Sequence, residues 1–327
     1  MKIAIDAMGS DKGAQIVVEG SLAALETLPS LEIHLFGDEK TLRALLKKYS
    51  NKNIHIHHTT EEILQTDEPV RAARRKKDSS MVRAMSFVKN GEADVVISAG
   101  NTGALMSAGI FYLGRIKGIE RPALAPIIPT TNKKGTLLLD VGANLEPKPE
   151  HLLQYAIMGN LYAQHVLAVS EPKIGLLNIG AEDHKGTDTL KATFPLLMNQ
   201  PFNFIGNVEA REVPFGAADV VVSDGLSGNI FLKGMEGTAQ AILQQLKQAL
   251  MTNFQSKIGT LLIKSSLKDM KSNLDYTEHG GALLLGLSKP CIKAHGSSNG
   301  NAIKTAIIQA VKFVEQDIIK KIEQELN

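Results

Sequence analysis

The sequence predicts an α/β protein whose sheet is built from two similar halves, and two stretches carry that prediction. In Ala218–Lys233, ADVVVSDGLSGNIFLK, a run of β-branched residues turns through Asp224-Gly225 and reaches Ser227-Gly228-Asn229 as a helical pattern begins. Ala93–Leu105, ADVVISAGNTGAL, repeats the same strand, the same Ser-x-Gly-x-Ser/Thr-Gly turn and the same helix start. A buried strand that ends in a glycine turn and launches a helix makes an anion site. The unpaired N–H groups of the first helical turn and the positive end of its dipole converge there. One such turn is also how an ordinary strand-to-helix connection looks; two of them favour a phosphate-like ligand near one or both.

Taken in order, residues 2–7 form a short apolar strand that ends in Asp6-Ala-Met-Gly9-Ser-Asp11, and 16–28 has helical spacing. An acidic residue and a glycine at a strand's carboxyl end are where α/β proteins place ligand contacts; Asp11 as a simple helix cap fits equally well. Residues 31–36 form a second strand, closed by Gly37-Asp38 and followed by a helix at 41–49. In 53–59, His55, His57 and His58 alternate with Ile54 and Ile56. Alternation separates these imidazoles between faces, and no carboxylate lies at ligand spacing, so an edge strand with solvated histidines is favoured over a metal site. Arg71, Arg74, Arg75, Lys76 and Lys77 make the densest basic cluster, read from charge alone as a solvated helix face. Ser79-Ser80 caps a helix through 81–89 that leads into the first glycine turn. Residues 136–140 are a buried strand followed by Val141-Gly142-Ala143-Asn144, and Pro149 starts a long helix. The strand at 173–179 ends in a loop carrying Lys185, which is placed to reach a phosphate. After the strand at 204–208 and the central turn, a helix runs through 236–250 with Ala239, Ile242, Leu243, Leu246 and Leu250 on one stripe. Phe254, Ile258, Leu261, Leu262 and Ile263 then form an apolar segment flanked by Lys257, Lys264, Lys268 and Lys271, a pattern shared by membrane-lying helices and dimer interfaces. Near the end, Cys291 sits in a short apolar strand, His295-Gly296-Ser297-Ser298 occupies another strand-to-helix turn, and 311–326 reads as one terminal helix.

Composition sets boundaries. A net charge of +2 and 5% aromatic residues argue against a general nucleic-acid binder. One cysteine excludes an internal disulfide and fits a reducing compartment, and no apolar run approaches the ~20 residues needed to span a bilayer, so the expected location is cytoplasmic. Neither G-x-x-x-x-G-K-[ST] nor G-x-G-x-x-G occurs, which removes the two usual nucleotide signatures, and the serine elbow G-x-S-x-G is missing.

The stretches DAMGSD (6–11), SAGNTGA (98–104), DVGAN (140–144), LNIGAEDHKG (177–186), GNVE (206–209), Ser223–Lys233 and KAHGSS (293–298) together resemble the PlsX family, the bacterial phosphate acyltransferases of phospholipid synthesis. The likeness runs along essentially the whole chain. It implies transfer of a fatty acyl group from acyl carrier protein to inorganic phosphate, on the way to phosphatidic acid. It also implies a three-layer α/β/α sandwich like those of isopropylmalate dehydrogenases and phosphotransacetylases, a homodimer, and peripheral contact with the inner face of the membrane near a glycerol-3-phosphate acyltransferase; no cofactor and no metal ligand are read from the residues, and the sequence leaves open whether a divalent ion assists. The chain is read as one α/β/α domain over 1–327, with an amphipathic helical segment projecting at about 236–272. Three positions depart from the family's pattern: Ser10, Ala181 and His279.

Phosphate attack on a thioester needs no enzyme-bound acyl group, because a thiolate already leaves well. The site must hold a dianion against the carbonyl and supply donors for the developing oxyanion. Lys185 is the expected counter-charge of phosphate, Asn229 the oxyanion donor, and His295 the proton carrier. Asp6, Gly9, Asn101, Thr102, Gly103, Asp140, Asn144, Asp224, Gly225, Ser227, Gly228, Ser297 and Ser298 are expected around the substrate. With an acidic carrier protein as partner, Arg71, Arg74, Arg75, Lys76 and Lys77 gain a docking role, and Phe254, Ile258, Leu261 and Leu262 are read as the membrane contact. The alternatives are a short-chain phosphotransacetylase using coenzyme A and a non-catalytic membrane scaffold.

Overall fold

The computed structural model describes all residues except 48, 50, 51, 275–279, 297 and 327, together with every side chain but those of 269 and 271–274 in the described helices. Twelve strands are present among the described residues. They are β1 (Lys2–Asp6), β2 (Glu32–Gly37), β3 (Ile54–His58), β4 (Val95–Ser98), β5 (Ala123–Ala125), β6 (Ile127–Ile128), β7 (Thr136–Leu139), β8 (Ile174–Asn178), β9 (Phe204–Glu209), β10 (Val220–Val222), β11 (Ala282–Leu285) and β12 (Cys291–Lys293). They form a seven-stranded sheet ordered β3-β2-β1-β4-β12-β11-β5 and a five-stranded sheet ordered β6-β7-β10-β8-β9. Every residue of β4, β7, β8 and β10 is buried. Such continuous apolar runs are what a mostly parallel sheet needs when helices cover both faces.

The helices are α1 (Ala14–Thr27), α2 (Glu39–Leu46), α3 (Pro69–Arg75), α4 (Ser80–Lys89), α5 (Thr102–Ala108), α6 (Pro149–His165), α7 (Asp188–Met198), α8 (Gly225–Leu250), α9 (Phe254–Leu262), α10 (Lys264–Leu274), α11 (Gly300–Glu315) and α12 (Ile318–Glu325). The result is a three-layer α/β/α arrangement, as expected. Small residues set the closest approaches. A Cβ on Gly20 of α1 would stand 2.5 Å from Ile303 Cβ of α11, and one on Gly159 of α6 would stand 2.6 Å from Val220 Cγ1 of β10.

The two sheets meet at one segment. Only Pro126 separates β5 in the first sheet from β6 in the second. The Pro126 carbonyl accepts from Leu138 N at 3.0 Å, and the Leu124 carbonyl accepts from Val141 N at 3.2 Å. Buried residues of both sheets, such as Ile3, Val95, Leu137 and Val222, belong to one continuous core. The internal repeat also survives in three dimensions. β1 lies parallel to β4 with Asp6 opposite Ser98, and β7 lies parallel to β10, with Asp140 N donating to Ser223 O at 2.9 Å just beyond the last paired residues.

One feature differs from the sequence reading. The terminal helix expected over 311–326 is broken, because Asp317 takes a left-handed conformation (φ 49°) between α11 and α12. The helix that the central turn launches and that runs on through 236–250 starts at Gly225, where the Asp224 carboxylate caps it by accepting from Ser227 N at 2.7 Å. With 26 residues α8 is about 39 Å long, and only Gly225 and Gly228 in it are buried. From 236 to 270 no described side chain is buried. This is the stretch expected to project, and it carries exposed Phe254, Leu261 and Leu262.

The root of α8 gives a stability test. A Cβ on Gly228 would stand 2.0 Å from Asp140 O, a backbone atom with no freedom to move aside, whereas a Cβ on Gly237 of the same helix meets nothing within 4 Å. Gly228→Ala is expected to lower unfolding free energy by about 1–3 kcal/mol in urea titration. Gly237→Ala is expected to raise it by about 0.5–1 kcal/mol.

Candidate active site

Strands β4, β7 and β12 end together at one rim, and the turn after each of them lines a cavity of about 620 Å³. After β4 come Gly100, Thr102 and Gly103; after β7 come Val141, Gly142 and Ala143; the end of β12 and its loop give Lys293, His295 and Gly296. The strand joint closes the floor with Leu124, Pro126 and Ile127, and α8 contributes Asn229, Leu232, Lys233 and Glu236. At the mouth stand Pro69 and Val70 of α3. A crevice outside the carboxyl ends of strands, where connections diverge, is the usual ligand site of an open α/β sheet.

The walls divide into an apolar side and a cationic corner. Lys293 is 9% exposed, and its Nζ donates to the carbonyls of Ala99 (3.2 Å) and Ala294 (2.5 Å). Burial pulls its pKa down to about 8, against the pull of the nearby Asp11 and Asp6 carboxylates. The His295 imidazole is held below its ordinary pKa, first by burial and then by the positive charges of Lys293 and Lys233, so at neutral pH it accepts protons reluctantly. Asn229 lies beside the Gly142 turn, where a Cβ on that glycine would stand 3.3 Å from the Asn229 amide nitrogen. Gly142 also has a φ of 115°, which favours glycine.

Two buried carboxylates lock the turns behind this surface. Asp6 accepts from Ser80 Oγ (2.6 Å), Ser98 Oγ (2.7 Å) and Met8 N (3.2 Å). Asp140 accepts from the backbone N–H groups of Leu124 (2.9 Å), Ala143 (3.2 Å) and Asn144 (2.6 Å), and from Asn144 Nδ2 (3.2 Å). Burial raises the Asp140 pKa to about 6, with these four donors working in the opposite direction to hold the charged form.

The structure therefore sorts the sequence-derived residues. Asn229, His295, Thr102 and Gly103 line the cavity. Asp6, Asp140 and Asn144 stand behind it as hydrogen-bonded supports, and Asn101 and Asp224 cap α5 and α8. Gly9 packs against Gly100, while Gly225 and Gly228 pack against Asn144 and Asp140. Ser227 lies in the first turn of α8 and is not a lining residue; Ser298 is buried, its N–H donating to His295 O. Of the two repeated turns, the first faces the cavity with its glycines, and the second presents the flank of its helix. Lys185 sits in the loop after β8, on the same rim but not on the cavity wall. Ser297 and His279 lie outside the described residues. Among the basic cluster, Arg71, Arg74, Arg75 and Lys77 are exposed, with Arg74 over the Phe111 ring at 4.6 Å. Lys76 is engaged internally with Asp67 (2.6 Å) and the Glu62 carbonyl. Sequence reasoning gave Lys233 and Lys293 no role. Their signal was available for Lys293: a lysine inside the apolar strand Cys291–Lys293 has little reason to be there unless its charge is used.

A family model described as "Fatty acid synthesis protein" matches residues 1–321. The chain belongs to that family. It is 53% identical over 324 residues to a phosphate acyltransferase of Geobacillus sp. (strain WCH70), covering 99% of this chain and 98% of the relative. It is 54% identical over 318 residues to a phosphate acyltransferase of Oceanobacillus iheyensis, covering 97% and 95%. On this likeness the chain is an acyltransferase. Among solved structures it is similar to a phosphotransacetylase from Streptococcus pyogenes (TM-score 0.62, 18% identity, 96% of this chain and 94% of the other). It is also similar to a branched-chain phosphotransacylase from Enterococcus faecalis V583 (TM-score 0.59, 15% identity, 96% and 99%). At such identities these two describe the fold.

Lys293 yields a linkage test. Its folded pKa of about 8 lies below the ordinary lysine value, so the unfolded chain binds the extra proton between about pH 8 and 10.5 and stability rises with pH across that window. Lys293→Met is expected to be more stable than the parent at pH 7, by on the order of 1–3 kcal/mol, and to flatten that rise when unfolding is measured from pH 7 to 10.5.

Proposed function

We propose that this acyltransferase moves a fatty acyl group from acyl carrier protein to inorganic phosphate, releasing acyl phosphate for the path to phosphatidic acid. The observation that supports it is one cavity whose apolar wall meets a corner holding two ammonium groups and an imidazole. Phosphate sits among Lys293, Lys233 and the amides of the β4 turn, with its oxygen against the thioester carbonyl. The new C–O bond forms as the C–S bond breaks, Asn229 donates to the oxyanion of the tetrahedral intermediate, and the carrier's thiolate departs. His295, near-neutral at physiological pH, takes a proton from phosphate or delivers one to sulfur. Lys185 rises from the same rim and is retained as a third phosphate-directed cation.

The exposed face of α3, at the cavity mouth, suits an acidic carrier protein. The exposed apolar surface of α9 suits either the inner face of a membrane, where a poorly soluble product is handed to a glycerol-3-phosphate acyltransferase, or a second copy of the chain in a homodimer. No helix of the described residues is long and apolar enough to cross a membrane. A small acyl-coenzyme A substrate would leave this surface without a task.

Palmitoyl carrier protein mixed with phosphate is expected to give palmitoyl phosphate and free carrier protein without nucleotide. Acetyl-coenzyme A in its place is expected to react far more slowly, and the reverse order would replace the reading with the short-chain one. Asn229→Ala is expected to lower kcat by roughly 10²–10³-fold. Lys185→Ala and Lys293→Met are expected to raise KM for phosphate; a folded Lys185→Ala enzyme with unchanged KM assigns the counter-charge to Lys293 and Lys233 alone. Two surfaces are expected to separate in a further pair of variants. Charge reversal at Arg74 and Arg75 raises KM for carrier protein and leaves liposome co-sedimentation intact. Ile258→Glu with Leu262→Glu abolishes co-sedimentation and leaves that KM unchanged.

A further inference from the structure

Away from the cavity, one group of side chains has ligand chemistry and no part in the reaction above. Strands β2 and β3 run parallel with His34 opposite His55 and Phe36 opposite His57. Residues two apart on a strand share a face, so Glu32, His34 and Phe36 stand in one row and His55 and His57 in the next. The His34 and His55 rings stack with centroids 4.9 Å apart, Phe36 and His57 stack at 4.5 Å, and Phe87 of α4 packs 4.9 Å from His34. Along β3 itself no carboxylate lies at ligand spacing; the parallel register brings one from β2. One ligand atom from each of Glu32, His34 and His55 lies within 4.8 Å of the other two. Donors bonded to one ion at about 2.0–2.2 Å sit at most about 4 Å apart, so modest side-chain rotation closes the set.

Two further observations aim this cluster at an ion. His34 is 7% exposed, yet among the described residues its Nε2 has no hydrogen-bond partner, and Glu32 Oε2 stands 4.0 Å away, beyond hydrogen-bonding distance. Its other ring nitrogen, Nδ1, lies 2.9 Å from His57 Nε2. An imidazole whose Nδ1–H is held by an outer partner offers its Nε2 lone pair outward, which is how metal-bound histidines are oriented.

We propose that Glu32, His34 and His55 bind a late first-row divalent cation, with Zn²⁺ the best match and His57 as the outer partner of His34. Two imidazoles and a carboxylate suit Zn²⁺, whereas Mg²⁺ and Ca²⁺ select all-oxygen sites. His55 is exposed and Glu32 half-exposed, which gives the ion a way in and leaves positions for water. The Lys2 ammonium, 3.8 Å from Glu32 Oε2, competes for that carboxylate, but both side chains are about half exposed and such a pair is weak. Glu32 pairs with Lys2 at the start of β1, while Asp6 ends that strand; four residues of strand put the cluster roughly 13 Å back from the rim. The ion ties the edge strand β3 to β2 and takes no part in acyl transfer.

The test uses the full chain, treated with chelator and dialysed, then titrated calorimetrically with ZnCl₂ and separately with CoCl₂ under visible absorption. One equivalent of Zn²⁺ per chain, visible Co²⁺ bands and no heat with MgCl₂ are expected. Glu32→Gln with His55→Gln, two exposed changes whose fold is checked by circular dichroism, is expected to weaken Zn²⁺ binding by about tenfold or more. Absence of Zn²⁺ binding to the parent, or undiminished binding to the double variant, overturns the site.

Discussion

Two carboxylates at the ends of β1 and β7 are the constraint on which the rest depends. Asp6 and Asp140 are 1% and 0% exposed, and a buried carboxylate costs several kcal/mol unless donors surround it. Each therefore gathers every donor within reach. Asp6 draws in the hydroxyls of β4 and α4, and Asp140 draws in the amides of its own turn and of β5. The glycine turns next to them are tight because there is no room for anything else: a Cβ on Gly9 or Gly225 would stand within 3 Å of these carboxylates or of the facing turn. The shape of the cavity is in this sense the outer surface of two hydrogen-bonded anchors.

That division of labour explains why the site was partly legible. The repeated Ser-x-Gly-x-Ser/Thr-Gly turns mark strand ends in any α/β protein, so the fold and the rim were readable from them. Sequence alone carries no sign of which polar residues at such a rim point forward and which point back. Asp6, Asp140, Asn101 and Asp224 have the types expected of ligand contacts, and all four are occupied by backbone or side-chain donors behind the surface. Lys293 is the converse. It hides in a three-residue strand, and only the parallel pairing of β12 with β4 shows that its ammonium arrives beside the first turn. The same limitation applied to the histidines of β3, whose neighbours come from another strand. The break at Asp317 was not readable either, since the residues around it keep helical spacing on both sides.

The proposed reaction asks the site to join opposite demands. A phosphate needs cations and free N–H groups; a fatty chain needs a wall without them. The strand joint provides the second, because Leu124, Pro126 and Ile127 present side chains where the two sheets meet. The strand ends provide the first. Helix α8 belongs to both, with Asn229 and Lys233 on the polar side and Leu232 against the apolar one, and from residue 236 onward none of its side chains is buried.

The joint at Pro126 makes the cavity floor common to both sheets. One uninterrupted length of backbone is hydrogen-bonded into both sheets, so they are pinned to each other along that line. Two helices border the cavity beside that joint, α3 on one bank and α8 on the other. Whatever docks on those two helices stands at the gate.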